Sequence, residues 1–140
     1  MGKLKVMDLM TENVFSVNAD EDLARLSDLM EDIHVRHMPV KDKEGRLVGL
    51  VSQRDLLRSA LFTAKDLPLT EQRELLQRMT VGEIMTADPE TAEMDDDIEE
   101  AGRVMLDNKL GCLPVVEGGK LVGILTEADF VKFVVEGGEI

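Results

Sequence analysis

Tryptophan and tyrosine are absent from this chain, and phenylalanine occurs only four times in 140 residues. Without aromatic platforms, the base stacking by which single-stranded nucleic-acid binders hold their ligand has nothing to rest on. Basic charge is also short: Lys and Arg number 16 against 29 Asp and Glu, a formal net charge of −13. That field repels a phosphate backbone or an anionic membrane surface, so any anionic ligand requires a local basic patch. Cysteine occurs once, as Cys112. It excludes an internal disulfide, and one thiol with two histidines falls short of a zinc framework. No apolar run approaches the roughly 18 residues of a membrane span. The opening Met-Gly-Lys-Leu-Lys-Val is not followed by the apolar stretch of a secretory signal. The expectation is a cytoplasmic protein with no membrane partner, in which nucleic-acid binding is disfavoured.

What is present suffices for a core. Hydrophobic residues make up 44% and charged residues 32%, as in an ordinary globular protein. The acidic excess is uneven, because residues 1–58 carry 9 basic and 11 acidic side chains whereas 59–140 carry 7 and 18. The chain also repeats itself. Val6-Met7-Asp8-Leu9-Met10-Thr11 matches Val81-Gly82-Glu83-Ile84-Met85-Thr86 at an offset of 75. Asp20, Asp22, Leu23, Met30, Asp32 and Pro39-Val40 then fall on Asp95, Asp97, Ile98, Met105, Asp107 and Pro114-Val115. One residue is lost in a turn. At an offset of 74, Gly45–Ser52 meets Gly119–Thr126, and Asp55 meets Asp129. This period is longer than that of solenoids, and two copies divide the chain into repeat 1 (1–58), a linker (59–80) and repeat 2 (81–140).

Each copy predicts the same order of elements. A short apolar turn (Val6–Met10, Val81–Met85) precedes an extended segment near Phe15–Val17 or Thr91–Ala92. Asp20-Glu21-Asp22 and Asp95-Asp96-Asp97 then offer cap oxygens and negative charge to a helix start. Leu23, Leu26, Leu29, Met30 and Ile33, and Ile98, Ala101, Val104 and Met105, recur at helical intervals and give each helix one buried stripe. Two strands follow around glycine-containing turns, His37–Asp42 with Arg46–Ser52 and Cys112–Val116 with Lys120–Thr126, as antiparallel hairpins. A second helix begins at Ser52 or Thr126. Each copy is therefore a β-α-β-β-α unit of an α+β fold. In the linker, Thr70 and Glu71 read as the cap and first turn of a helix, and Leu61, Phe62, Leu67 and Leu69 are too apolar for a solvated tether.

The chemistry concentrates in Gly49-Leu50-Val51-Ser52-Gln53-Arg54-Asp55 and Gly123-Ile124-Leu125-Thr126-Glu127-Ala128-Asp129, where a strand turns into a helix. A hydroxyl at a helix start can bond an anion beside the unsatisfied amides. A carboxylate three residues on, which only accepts hydrogen bonds, suits a pair of sugar hydroxyls. The strand glycine permits close backbone approach. Together these suit a nucleoside phosphate. The plainer alternative makes Ser52 and Thr126 simple caps and Asp55 and Asp129 first-turn acids; recurrence of the whole pattern favours the ligand.

In this order and twice over, the Met-Thr pairs (Met10-Thr11, Met85-Thr86), the prolyl segments Val35–Pro39 and Leu110–Pro114, and the glycine-to-aspartate segments resemble the tandem cystathionine-β-synthase (CBS) domain pair. This pair is also called a Bateman module, and the resemblance covers nearly the whole chain. It implies two β-α-β-β-α repeats packed about a pseudo-twofold axis, clefts between them, and often a disc-shaped homodimer. It also implies a regulatory role, with AMP, ADP, ATP or S-adenosylmethionine as ligand, no cofactor required, and a separate effector protein. Carried over, Asp55 and Asp129 bind ribose and Ser52 and Thr126 lie near phosphate. Pro39, Leu113 and Pro114 wall the clefts behind Gly49 and Gly123.

The copies diverge at the charges. Arg36, His37 and Arg54 can converge on one phosphate in the first, where the second has Gly111, Cys112, Glu127 and Ala128. Arginine bonds phosphate with charge assistance and Glu127 repels it. The first site therefore suits phosphate, and the second suits a neutral or cationic adenosyl group or stays empty. Arg36 and Arg54 in surface ion pairs are the competing reading. His34 and His37 lack a third metal ligand nearby, Cys112 reads as an apolar filler, and Asp95–Asp97 as a solvated helix start. No nucleophile with a base and no Gly-Lys-Ser or Gly-Lys-Thr loop occurs, so an enzyme is disfavoured. The alternative to a ligand sensor is a ligand-free dimerisation or interaction scaffold.

Overall fold

The computed structural model describes residues 4–64 and 66–139, with side chains outside 60–64. Leu61 and Phe62 of the expected linker packing lie outside that description. In chain order the elements are α1 (Val6–Leu9), β1 (Val17–Asn18), α2 (Leu23–Ile33), β2 (His37–Lys41), β3 (Leu47–Ser52), α3 (Gln53–Ala64) and α4 (Leu69–Gln77). They continue as α5 (Val81–Ile84), β4 (Thr86–Ala87), β5 (Ala92–Glu93), α6 (Ile98–Asp107), β6 (Cys112–Glu117), β7 (Lys120–Thr126) and α7 (Glu127–Val135). The β-α-β-β-α order is present twice.

The two helices that follow the first strands start where carboxylates cap them. Asp22 accepts the Arg25 N–H at 2.8 Å and Asp97 the Glu100 N–H at 3.2 Å. They also end alike, since His34 and Lys109, 75 residues apart, both take left-handed backbone at φ 55°. The hairpins are antiparallel, and each bulges at one place, Val40/Lys41 and Val115/Val116. The lost residue lies at the hairpin tip. Gly118 and Gly119 close β6–β7 with positive φ at both, a two-residue turn matched to strand twist. In β2–β3 the Asp42 carboxylate instead gathers the Glu44 and Arg46 amides around Gly45.

The chain forms two compact units whose limits differ from those of the repeats. A central unit runs from Phe15 to Asp88, and a split unit joins the chain up to Val14 with the chain from Pro89. Each repeat thus lends its leader to the other repeat's sheet. In the central unit, β4 from the start of repeat 2 pairs with β3, Leu50 opposite Thr86 and Gly49 opposite Ala87, giving the order β1-β2-β3-β4. In the split unit, Thr11 exchanges backbone bonds with Ile124 on β7, at 2.9 and 3.0 Å. There β5, β6 and β7 form the sheet. Each unit has its own core. Val81 joins Leu23, Leu26, Met38 and Val51 in one, and Val6 and Leu9 join Ile98, Leu113 and Leu125 in the other.

The linker is helical, with one correction. α4 begins at Leu69, and Thr70 is not its cap. Pro68 supplies the extended ψ of 154° that a cap position needs, and its carbonyl accepts the Gln72 N–H at 2.9 Å, so winding starts two residues early. Packing of α4 is partial. Leu69 is 82% exposed, Leu76 and Met79 rest on the central core, and Arg73 makes a two-pronged bond to Asp28 of α2 at 2.8 and 3.3 Å.

Gly49 and Gly123 are the narrow points of both sheets. A Cβ on Gly49 would collide with Met85 Sδ and lie 3.1 Å from the Thr86 carbonyl oxygen. One on Gly123 would lie 2.9 Å from Met10 Sδ and 3.1 Å from the Thr11 carbonyl oxygen. Gly49→Val and Gly123→Val are each expected to destabilise the fold by about 1–3 kcal/mol, the cost of overpacking. Urea titration followed by far-ultraviolet circular dichroism measures it.

Candidate functional site

In the central unit, β3 ends at Ser52 and α3 begins with Gln53, so the last strand residue sits at the helix N-cap. Ser52 Oγ accepts the Asp55 N–H at 3.0 Å, and Asp55 Oδ2 accepts the Ser52 N–H at 3.0 Å. This reciprocal cap satisfies two amides that the helix leaves open, and it is the plainer role considered for both residues. It uses one carboxylate oxygen. Oδ1 of half-buried Asp55 has no hydrogen bond among the described residues.

The backbone brings the cations to the same corner. Arg36 O accepts the Gln53 N–H at 2.8 Å, and His37 stands opposite Ser52 in the ladder. Arg36, His37, Ser52, Arg54 and Asp55 are thereby gathered at the first turn of α3. Arg36 and Arg54 are exposed, and among the described residues neither has a carboxylate within ion-pair distance. Pro39 is buried between Met38 and Val40 opposite Leu50.

The split unit builds the same corner from different residues. Thr126 caps α7, and the Glu127 N–H donates to Gly111 O at 3.2 Å, with Cys112 opposite Thr126. Asp129 Oδ2 accepts from Thr126 N–H at 2.8 Å and from the Thr126 hydroxyl at 3.2 Å. Its other oxygen is also taken, since the Thr11 hydroxyl donates to Oδ1 at 2.9 Å. Leu113 is 1% exposed and lies in the core cluster, and Pro114 is buried opposite Ile124, so neither presents a surface within this unit. At both corners the glycine's open space is filled by the leader.

Cys112 is 2% exposed. Burial, and after it the negative charge of Glu127, pushes its thiol up to about 12. Glu127 therefore places negative charge where the central unit has neutral Gln53, and Ala128 stands at the place of Arg54. Among the described residues the one group of three candidate metal ligands is Glu93, Asp95 and Asp96, which includes neither histidine and not Cys112.

Two features escaped the sequence reading. Thr11 marked the repeat without showing that its hydroxyl reaches Asp129. The second is a cavity of about 500 Å³ between α2 and α3, lined by Met30, His34, Arg36, Gln53 and Leu56 among others, and by neither Ser52 nor Asp55. At the equivalent place in the split unit Gly102 replaces Ser27 and Phe130 replaces Leu56. The Phe130 ring lies 3.4 Å from where a Gly102 Cβ would stand.

Comparison with known proteins agrees with the geometry. The CBS domain family model matches residues 6–61 and 81–136. An uncharacterized protein of Methanocaldococcus jannaschii is 32% identical over 139 residues, 97% of this chain. The chain spans 33% of that relative's length and 41% of a second from the same organism. Among solved structures, CBSX2 of Arabidopsis thaliana in complex with AMP is 32% identical, with a TM-score of 0.79 over 94% of this chain and 96% of that one. The CBS domain pair of protein MJ0100, in complex with 5′-methylthioadenosine and S-adenosyl-L-methionine, is 22% identical. It shares the fold at a TM-score of 0.80 over 96% of this chain and 98% of that one.

The raised thiol generates a direct expectation. With burial pushing it up to about 12, the Cys112 thiol yields far less thiolate than a free cysteine. Native protein should resist Ellman's reagent at pH 8, and one thiol should react upon unfolding. The folded state holds this proton more tightly, so its contribution to stability is complete below pH 9 and lost as pH rises towards 12. Urea midpoints at pH 8 and pH 11 check the sign.

Proposed function

The chain belongs to the CBS domain family, and from that premise we propose that it is a regulatory module with no chemistry of its own. In this reading it binds an adenosine derivative (AMP, ADP, ATP or S-adenosylmethionine) at its strand-to-helix corners and signals to a separate effector protein through altered packing. The observation that carries it is the doubled hydroxyl–carboxylate corner, one copy of which keeps, among the described residues, a carboxylate oxygen without a hydrogen bond and has two arginines without an ion pair at the same helix start. Asp55 Oδ1 accepts a ribose hydroxyl. Ser52, His37 and the Arg36 and Arg54 guanidinium groups hold phosphate. Thr126 and Asp129 hold a neutral or cationic adenosyl group or remain empty, because Glu127 opposes an anion. The ligands of CBSX2 and of MJ0100 support this chemical class. No cofactor is required.

Self-association as a homodimer belongs to the same reading. Exposed Leu57 on α3, Leu106 on α6 and Val131, Val134 and Val135 on α7 supply apolar surface that suits a second copy. No described helix is long and apolar enough to cross a membrane, and the cytoplasm remains the proposed location. One observation favours the scaffold as a second reading: both aspartates already serve as cap acceptors, so each helix start is satisfied by the chain itself.

Isothermal titration with AMP, ADP, ATP and S-adenosylmethionine tests the nucleotide reading. AMP should bind saturably. Asp55→Ala and the pair Arg36→Ala/Arg54→Ala should each weaken it by about tenfold or more, the scale of a lost charge-assisted bond, and Asp129→Ala should weaken it less. Equal losses from both aspartates would reject the asymmetry, and no heat or retention in dialysis with any ligand would establish the scaffold. Sedimentation should show a dimer that Val131→Lys/Val134→Lys converts to monomer.

A further inference from the structure

The two corner carboxylates differ in how much of their accepting capacity the chain itself consumes. Asp55 receives one N–H on Oδ2 and nothing on Oδ1 among the described residues. Asp129 receives three donors, two on Oδ2 from Thr126 and one on Oδ1 from the Thr11 hydroxyl. The donor on Oδ1 is held in place by its backbone. Thr11 N–H and C=O are both bonded to Ile124, at 2.9 and 3.0 Å, and Met10 beside it packs on Gly123. Upstream, Val6 and Met7 N–H donate to Asp96 O and Met94 O, each at 2.9 Å. Thr86 occupies the equivalent register opposite Leu50, yet its hydroxyl makes no hydrogen bond among the described residues.

We propose that Thr11 is a specificity-determining latch on the second corner, its hydroxyl occupying the Asp129 oxygen that a sugar hydroxyl would need. The inference rests on the nucleotide reading above. At the first corner a ribose hydroxyl meets an oxygen that no described group of the protein holds. At the second it must displace a hydroxyl of the same chemical kind, so one hydrogen bond is exchanged for another and little is gained. Thr11 is exposed, and once displaced its hydroxyl returns to water. The latch therefore lowers affinity by about the net worth of one hydrogen bond to a carboxylate, roughly tenfold. It acts on neutral and cationic ligands alike, which distinguishes it from the repulsion by Glu127.

Adenosine and S-adenosylmethionine are the probes, titrated calorimetrically into the full chain. Asp55→Ala silences the first corner; Asp55→Asn, which keeps an oxygen for the Ser52 N–H, replaces it if the alanine variant melts early. In that background Thr11→Val and Thr11→Ala should each tighten binding of both probes by about tenfold, and Asp129→Ala should abolish the gain. Thr11→Ser retains the donor and should bind as the background does. Thr86→Val in the otherwise unchanged chain should leave first-corner affinity within about twofold. No gain from either hydroxyl deletion, or an equal gain from Thr11→Ser, overturns the latch while binding through Asp55 still upholds the nucleotide reading. Two equal sites in the unaltered chain also overturn the latch alone. If no variant and not the unaltered chain binds any adenosine ligand, the nucleotide reading falls and the latch falls with it.

Discussion

In each unit a leader segment runs tightly against a strand glycine. Gly49 admits Met85 and the Thr86 carbonyl, and Gly123 admits Met10 and the Thr11 carbonyl. No side chain larger than hydrogen fits between them without movement. Because of this contact β3 gains a fourth strand and β7 gains the Thr11 bridge, so strand edges that would otherwise expose unpaired amides are closed. The same contact sets Val81 into the core of the central unit, and Val6 with Leu9 into the core of the split unit. The strand-to-helix corners stand three residues beyond these glycines on β3 and β7, so their geometry depends on the same closure.

At the corners, capping and ligand chemistry are compatible. A carboxylate has two oxygens, and a reciprocal cap holds one of them in a fixed direction while ordering the hydroxyl partner. The cap therefore preorganises the group that a sugar would meet, at no cost in conformational freedom when the ligand arrives. Electrostatics then separates the copies. A chain of net charge −13 disfavours anions everywhere except where local cations overcome the field. In the proposed reading Arg36 and Arg54 provide that exception, whereas Glu127 adds to the repulsion and also raises the Cys112 thiol.

Local features were legible in the sequence. Asp22 and Asp97 cap the helices expected of them, the hairpins close where glycine and Asp42 allow, and the single-residue deletion falls at a turn tip. The backbone repeats even where no residue type announces it, as in the left-handed pairs Asn13 with Asp88 and His34 with Lys109. Long-range features were not legible. The Thr11–Asp129 bond joins residues 118 apart, and neither neighbourhood carries a mark of the other. Strand glycines suggested close approach, but composition does not say whether a ligand or the chain's own leader makes it. Thr70 misled because a hydroxyl is the commoner cap, whereas Pro68 already held the dihedral angles that start a helix.

Exchange of leaders also gives the corners a route by which occupancy can matter elsewhere. Ligand control requires that two arrangements of a chain differ in affinity for the ligand. The leader carrying Thr11 passes from the split unit into the central unit between Val14 and Phe15, and the second leader passes back between Asp88 and Pro89. Beside these crossings stand Asn13 and Asp88 in left-handed backbone, at φ 54° and 48°. Such positions cost conformational energy for residues other than glycine and persist only when their surroundings hold them. Thr11 lies two residues before Asn13 and is paired with Ile124 and Asp129. In the proposed reading, a group that competes for Asp129 acts on a segment covalently continuous with β1 of the other unit. Duplication supplied two corners of one design, and the exchanged leader bonds the carboxylate of the second to a residue encoded at the far end of the chain.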